Sequence, residues 1–182
     1  MGFSVCTTCG YADVIEPGKK KRKELSHINT LTRQNCNGVS KPYHLGHRFM
    51  TDVLELRINK SMAREEQVLS VLYALLNGAS DVLNIPREDV GGLVYYKEGL
   101  PSFILYDNTP GGSGYVQHIH EHLLEVFEAA YKRVSGCNGC SPETSCYSCL
   151  RGYDNQYVHD KLERRLAWDI LGRVLDKPLP QG

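Results

Sequence analysis

The chain has 182 residues, enough for one ordinary domain or one domain with a small appendage. A hydrophobic content of 41% and a charged content of 23% are those of a globular protein, which excludes wholesale disorder. Lysine plus arginine and aspartate plus glutamate number 21 each, so a binder acting through bulk positive charge is excluded too. No run of about 18 apolar residues is present, and the N-terminus has neither the pattern of a secretory signal nor that of a myristoylation site. No contact with a membrane and a cytoplasmic location are the expectations. Seven cysteines and seven histidines then stand out, because clustered thiols in a reducing compartment point to metal or redox chemistry before disulfides.

The neutral total hides a gradient. Residues 1–50 carry eight basic and three acidic side chains, a net of +5, and residues 51–182 carry thirteen and eighteen, a net of −5. Five of the eight form one run, Lys19, Lys20, Lys21, Arg22 and Lys23. Such a run is a solvated loop or, on a zinc finger, a loop that contacts phosphates.

Residues 1–50 have weak periodicity and two turn-like elements, and read as a small finger-like module that depends on metal. Residues 51–58 alternate, with Leu54, Leu56 and Ile58 on one face, and predict a half-buried strand. The stripe Val68, Leu69, Leu72, Leu75, Leu76, Ala79 and Leu83 predicts a helix over 64–84, stopped by Pro86. Residues 90–96 and 102–107 predict a hairpin whose second strand is central. A glycine-rich loop from Asp107 to Gly114 leads into one helix striped by Val116, Ile119, Leu123, Phe127, Ala130 and Val134. A cysteine knot at 137–149 precedes a last helix over 157–175. Residues 51–177 thus form an α+β domain, a small and mostly antiparallel sheet packed with helices, and 178–182 form a tail.

The strongest motif is Cys137-x2-Cys140-x5-Cys146-x2-Cys149. Two knuckles supply four sulfur ligands, a closed tetrahedral shell for a structural zinc with no position left for water. Four cysteines also admit an iron–sulfur cluster. A second knuckle, Cys6-x2-Cys9, finds a third thiol in Cys36. His27 gives it a Cys3His set, with His44 and His47 as competing fourth ligands. The basic run lies inside the loop between this knuckle and His27.

With both knuckles in view, the chain resembles the zinc-binding domain at the C-terminus of many DEAD/DEAH-box superfamily-2 helicases. That group includes the MrfA-type DNA-repair helicases, and the same domain occurs in the non-helicase partner subunit of the DISARM anti-phage system. The resemblance is carried by His44-Leu45-Gly46-His47-x-Phe49-x-Thr51-Asp52, by Leu105-Tyr106-Asp107-x2-Pro110-Gly111-Gly112-x-Gly114, by the 137–149 knot, and by Tyr153-x-Asn155-Gln156-x2-His159-x2-Leu162. It covers roughly residues 44–171. It implies zinc held by Cys137, Cys140, Cys146 and Cys149, a helicase subunit or domain as partner, support of DNA handling, and no independent catalysis. Members are normally the tail of a larger protein, and no motor precedes the domain in this sequence.

No Walker P-loop lysine motif is present, so hydrolysis of a nucleotide through one is excluded. The Gly111-Gly112-Ser113 segment opens a helix without a lysine. It is either a tight packing turn or an amide cradle for a DNA phosphate. Asp52 and Asp107 sit at strand ends, where turn and cap chemistry outweighs a two-carboxylate metal site. His118 and His122 lie opposite the apolar stripe and read as solvent-facing, Asn155 and Gln156 as capping and bracing the last helix, and Trp168 as half-buried core. The resulting expectation is a zinc-binding accessory domain of a DNA helicase system in phage defence or repair, touching single-stranded or tailed DNA through Lys19–Lys23 and Gly111–Ser113. The alternative is an adaptor that docks on a helicase without touching DNA.

Overall fold

In a computed structural model of the protein, residues 2–15, 26–44, 46 and 48–180 are described. The basic run Lys19–Lys23 and His47 lie outside the described residues. The chain divides into two compact units, Met1–Arg48 and Phe49–Gly182.

The first unit is built from short antiparallel strands. β1 (Gly2–Cys6) lies between β2 (Ala12–Ile15) and β5 (Ser40–Tyr43), and β3 (His27–Ile28) pairs separately with β4 (Asn35–Cys36). The β1–β2 connection contains the first knuckle. Gly10 takes φ +73° there and donates its amide to the Cys6 carbonyl at 2.9 Å, a left-handed position that suits glycine. In the β3–β4 hairpin Asn29 Oδ1 accepts from the amides of Leu31 and Thr32, and the register sets His27 opposite Cys36.

The second unit is α+β. β8 (Leu100–Asp107) is the central strand of a three-stranded antiparallel sheet, between β6 (Val53–Leu56) and β7 (Val90–Lys97). The β7–β8 hairpin closes on Glu98 (φ +54°) and Gly99 (φ +81°), the two positive-φ residues of a primed two-residue turn. That leaves both strands longer than the sequence pattern predicts. Phe103 and Leu105 of β8 point inward with no exposed surface, each burial worth about 1.5–3 kcal/mol.

α1 (Glu65–Leu83) packs against β7 and β8 and also against α3 (Leu123–Ser135) and α4 (Arg164–Leu175). Its start is fixed by Gln67, whose side-chain oxygen accepts from the amides of Ala63 and Arg64, both at 3.1 Å. Its end is fixed by Asn84 in the left-handed region, two residues before Pro86. Gly78 lies where α1 meets α3. A Cβ there would sit 2.6 Å from the Val126 carbonyl oxygen and 2.8 Å from the Ala130 nitrogen.

Two helices expected to be continuous are broken. The one after the glycine loop divides at His122 (φ −111°) into α2 (Tyr115–Glu121) and α3. The last begins as a 3-10 turn over Gln156–Lys161, becomes extended at Leu162 and Glu163, and restarts as α4. Glu163 N–H donates to Ser70 Oγ, while Arg164 and Arg165 N–H donate to the carbonyls of Thr144 and Pro142. The first amides of α4 are thereby capped by distant segments, which fixes the restart at this place. At the C-terminus Pro178 is tied down, its carbonyl accepting from Tyr131 Oη at 2.8 Å and Trp168 Nε1 at 3.1 Å. Among the described residues no helix is long and apolar enough to cross a membrane.

Candidate metal centres

The 137–149 knot begins one residue after α3 ends. Its two knuckles turn Cys137, Cys140, Cys146 and Cys149 onto one point. Four of the sulfur–sulfur separations are 3.9 Å (137–140), 3.6 Å (137–146), 3.7 Å (140–149) and 3.9 Å (146–149). Four sulfurs placed tetrahedrally at about 2.3 Å from one zinc have edges of about 3.8 Å. A disulfide would bring a pair to about 2.05 Å, and all seven cysteines are free. An iron–sulfur cluster needs several irons between its thiolates. The spacing here is that of a single ion.

The knot is braced from behind. Asn77, in the apolar run of α1, donates from Nδ2 to the Cys149 carbonyl at 2.8 Å. Arg164, only 7% exposed, donates to the Val134 carbonyl at 2.8 Å and the Cys140 carbonyl at 3.3 Å. Its guanidinium carbon also lies 5.9 Å from the centroid of the Trp168 ring, which packs against the core. Asn155, 1% exposed, donates to the Leu150 carbonyl at 2.9 Å and accepts from the Gly152 amide and from His159 Nε2, both at 2.8 Å. Asn155 therefore does not cap the last helix through its side chain, as the sequence suggests. It holds the turn by which the chain leaves the knot. Such supports orient ligands before a metal arrives.

The second cluster joins Cys6, Cys9, His27 and Cys36, whose ligand atoms lie within 4.8 Å of one another. Cys6 Sγ and Cys36 Sγ are 3.9 Å apart, and Cys9 Sγ is 3.0 Å from His27 Nε2, tighter than the about 3.6 Å of a zinc-bridged S–N pair. The Tyr11 ring stacks on His27 at 4.8 Å and fixes its plane. Gly38 is needed for closure, since a Cβ there would lie 2.6 Å from Cys6 Sγ. His44, the competing fourth ligand, instead lies beside Gly2.

Each cluster holds one thiol that is easily ionised. Burial raises Cys6, but the amides of Cys9 and Thr8 and the neighbouring thiols bring it down to about 6. Burial likewise raises Cys146, yet the Ser148 amide and the other thiols bring it down to about 7. Burial pushes Cys140 and Cys149 up. A thiolate ready at neutral pH gives an incoming cation its first ligand.

The other sequence candidates separate. In the glycine loop, Gly111 N–H donates to the Met50 carbonyl at 2.8 Å, Gly112 N–H to the Thr109 carbonyl at 3.0 Å, and Ser113 N–H to Asp107 Oδ2 at 2.6 Å. Asp107, with no exposed surface, also accepts from the amides of Tyr115 and Val116. The chain's own carboxylate thus fills the place expected for a phosphate, and these three amides are not free for DNA. Gly112 (φ +82°) is required because Asp52 lies against the position its Cβ would take. His118 and His122 are exposed and lie beside Glu121 and Glu125, at 3.5 Å and 3.0 Å. Asn77 escaped the sequence reading, although a polar residue inside an apolar helical run is a signal. Arg164 is met in the sequence beside Trp168 and His159 in the last resembling segment, but nothing there assigns them a bracing role behind the knot.

Comparison with known proteins agrees with this centre. Residues 71–150, which include the whole 137–149 knot, match the family model of the MrfA Zn-binding domain. Over that stretch the chain is similar to this zinc-binding domain. Over 99% of its length it is similar, at 31% identity, to the Druantia protein DruE of Escherichia coli (strain UMEA 4076-1), of which it spans 11%. Its fold is similar to crystal structures of the helicase MrfA. The DNA-bound structure has TM-score 0.53 and 22% identity, with 83% of this chain and 19% of that one covered. The structure with DNA and AMPPNP has TM-score 0.53 and 23% identity, with 80% and 18% covered. The domain is a zinc-binding one, and the two clusters are compatible with two zinc sites.

Proposed function

We propose that the chain is a non-catalytic accessory module of a DNA helicase system, acting in the cytoplasm in phage defence or DNA repair. It binds two zinc ions, through Cys137, Cys140, Cys146 and Cys149 and through Cys6, Cys9, His27 and Cys36. The observation that carries this reading is the closed 137–149 knot, braced by Asn77 and Arg164, in a fold shared with a helicase solved on DNA. A metal enclosed by four thiols has no open position for substrate, so its part is to hold a platform. The basic run Lys19, Lys20, Lys21, Arg22 and Lys23 supplies contact with the phosphates of single-stranded or tailed DNA. The Phe49–Gly182 unit couples to the motor.

Replacing the five basic residues of 19–23 by serine tests the DNA contact. The expected outcome is weaker binding to a single-stranded oligonucleotide, with a salt slope shallower by up to about 3.5, at about 0.7 per phosphate. Unchanged affinity and slope would show the loop assignment to be wrong. The adaptor reading draws on the outer face of the sheet, where Val53 is 63%, Tyr95 56% and Leu93 46% exposed. It would be favoured by firm co-purification of a helicase together with no DNA binding at low salt.

A further inference from the structure

The segment leaving the zinc knot exposes three aromatic rings within eleven residues: Tyr147 at 63%, Tyr153 at 89% and Tyr157 at 75%. The fold recovers little from so much apolar area left in water. Tyr157 borders a cleft of about 200 Å³ that Tyr73, Arg87, Gly91, Tyr106 and Asp154 also line. Two features of the cleft are built rather than incidental. Gly91 leaves room for the Tyr106 ring, which a Cβ would overlap, so that an aromatic face lies along the start of β7. Arg87 is held by the Val90 carbonyl at 2.8 Å and by Asp154 Oδ2 at 3.2 Å, which sets a fixed guanidinium beside a carboxylate. The Tyr73 hydroxyl, 3.3 Å from that of Tyr157, fastens the outer ring at its tip and leaves its face open.

Aromatic faces, a fixed donor and an adjacent acceptor match one ligand chemistry, a flat heterocycle that carries both donors and acceptors on its edge. At about 200 Å³ the cleft falls below the about 300–1,000 Å³ of ordinary small-molecule pockets, so it takes a ring system and not a whole nucleotide. We propose that the cleft bordered by Tyr157, Tyr106 and the Arg87–Asp154 pair receives an unpaired nucleobase of single-stranded DNA. Tyr157 and Tyr106 supply stacking faces, and the ion pair reads the base edge that pairing would otherwise cover. This inference rests on the DNA contact proposed above and adds to the phosphate-binding loop a second point that discriminates single from double strand.

The test is photo-crosslinking of the full chain to an oligothymidylate containing 5-iododeoxyuridine, with mapping of the adduct by peptide mass spectrometry. Affinities are measured in parallel for that strand and for a blunt duplex. Adducts are expected on the peptide bearing Tyr157 or the one bearing Tyr106. Tyr157→Ala should weaken single-strand binding about tenfold, leaving duplex affinity and zinc content unchanged, and Tyr157→Phe should retain binding. Adducts confined to other peptides, or single-strand affinity indifferent to Tyr157→Ala, overturns the inference while the helicase-accessory reading stands. Absence of any DNA binding at low salt removes both. Protection of the cleft by free thymidine monophosphate but not by the strand would identify a nucleotide site, and so overturn it as well.

Discussion

Asp107 closes β8 and takes three backbone amides, from Ser113, Tyr115 and Val116, on a carboxylate with no access to water. A buried charge is tolerable only when its lone pairs are filled by donors. Here the donors are the orphan amides that open α2, so one residue satisfies both the loop and the helix start. Asp107→Asn keeps the shape, removes the charge and turns an N–H2 toward amide hydrogens. It should cost about 2–4 kcal/mol in urea unfolding of the zinc-loaded chain. A change below about 0.5 kcal/mol would mean that the loop is held by other contacts. Sequence alone places Asp107 at a strand end with turn chemistry, and that is what it does. It cannot reveal that the loop amides turn inward, because a glycine-rich helix start has the same composition whether its N–H groups face a phosphate or a carboxylate of the same chain.

Among the elements, the apolar stripes were legible and the interruptions were not. Val116, Ile119, Phe127, Ala130 and Val134 are all buried as their spacing predicts. The stripe runs through His122 in phase, so periodicity has nothing with which to register the bend between α2 and α3. The restart of α4 was hidden for a different reason. Its caps come from Ser70, Thr144 and Pro142, which no local pattern joins to Glu163, Arg164 and Arg165. The seam between α1 and α3 depends on Gly78. Alanine is the better helix former by about 1 kcal/mol, so a purely local view expects Gly78→Ala to stabilise. The Val126 oxygen and Ala130 nitrogen in its way reverse that, and the expected result is a loss of about 1–3 kcal/mol by thermal or urea unfolding. A stabilised variant would show that α3 can move away at little expense.

At the scale of the molecule, metal changes the charge with which the sequence began. Seven thiolates and two Zn²⁺ add −3 to a formally neutral chain, and one of those ions with three thiolates lowers the +5 of residues 1–50 to about +4. Positive charge therefore stays with the finger. Most of the metal chemistry was readable from spacing, since Cys-x2-Cys pairs supply ligands two at a time. The sequence favours His27 over His44 as the fourth ligand, and the cluster contains His27; the physical reason, the β3–β4 register that sets His27 opposite Cys36, is not visible in the spacing. A structural zinc contributes on the order of 10 kcal/mol to folding of a small module. Cys149→Ser, in the ligand buried deepest in the 137–149 knot, should lose one zinc and with it the cooperative unfolding of the Phe49–Gly182 unit. The account as a whole turns on what the two clusters hold. Native mass spectrometry of the intact chain, with metals identified by elemental analysis, measures this directly. Two zinc ions per chain is the result predicted, and iron, or a chain that folds with no metal in the 137–149 knot, would contradict it.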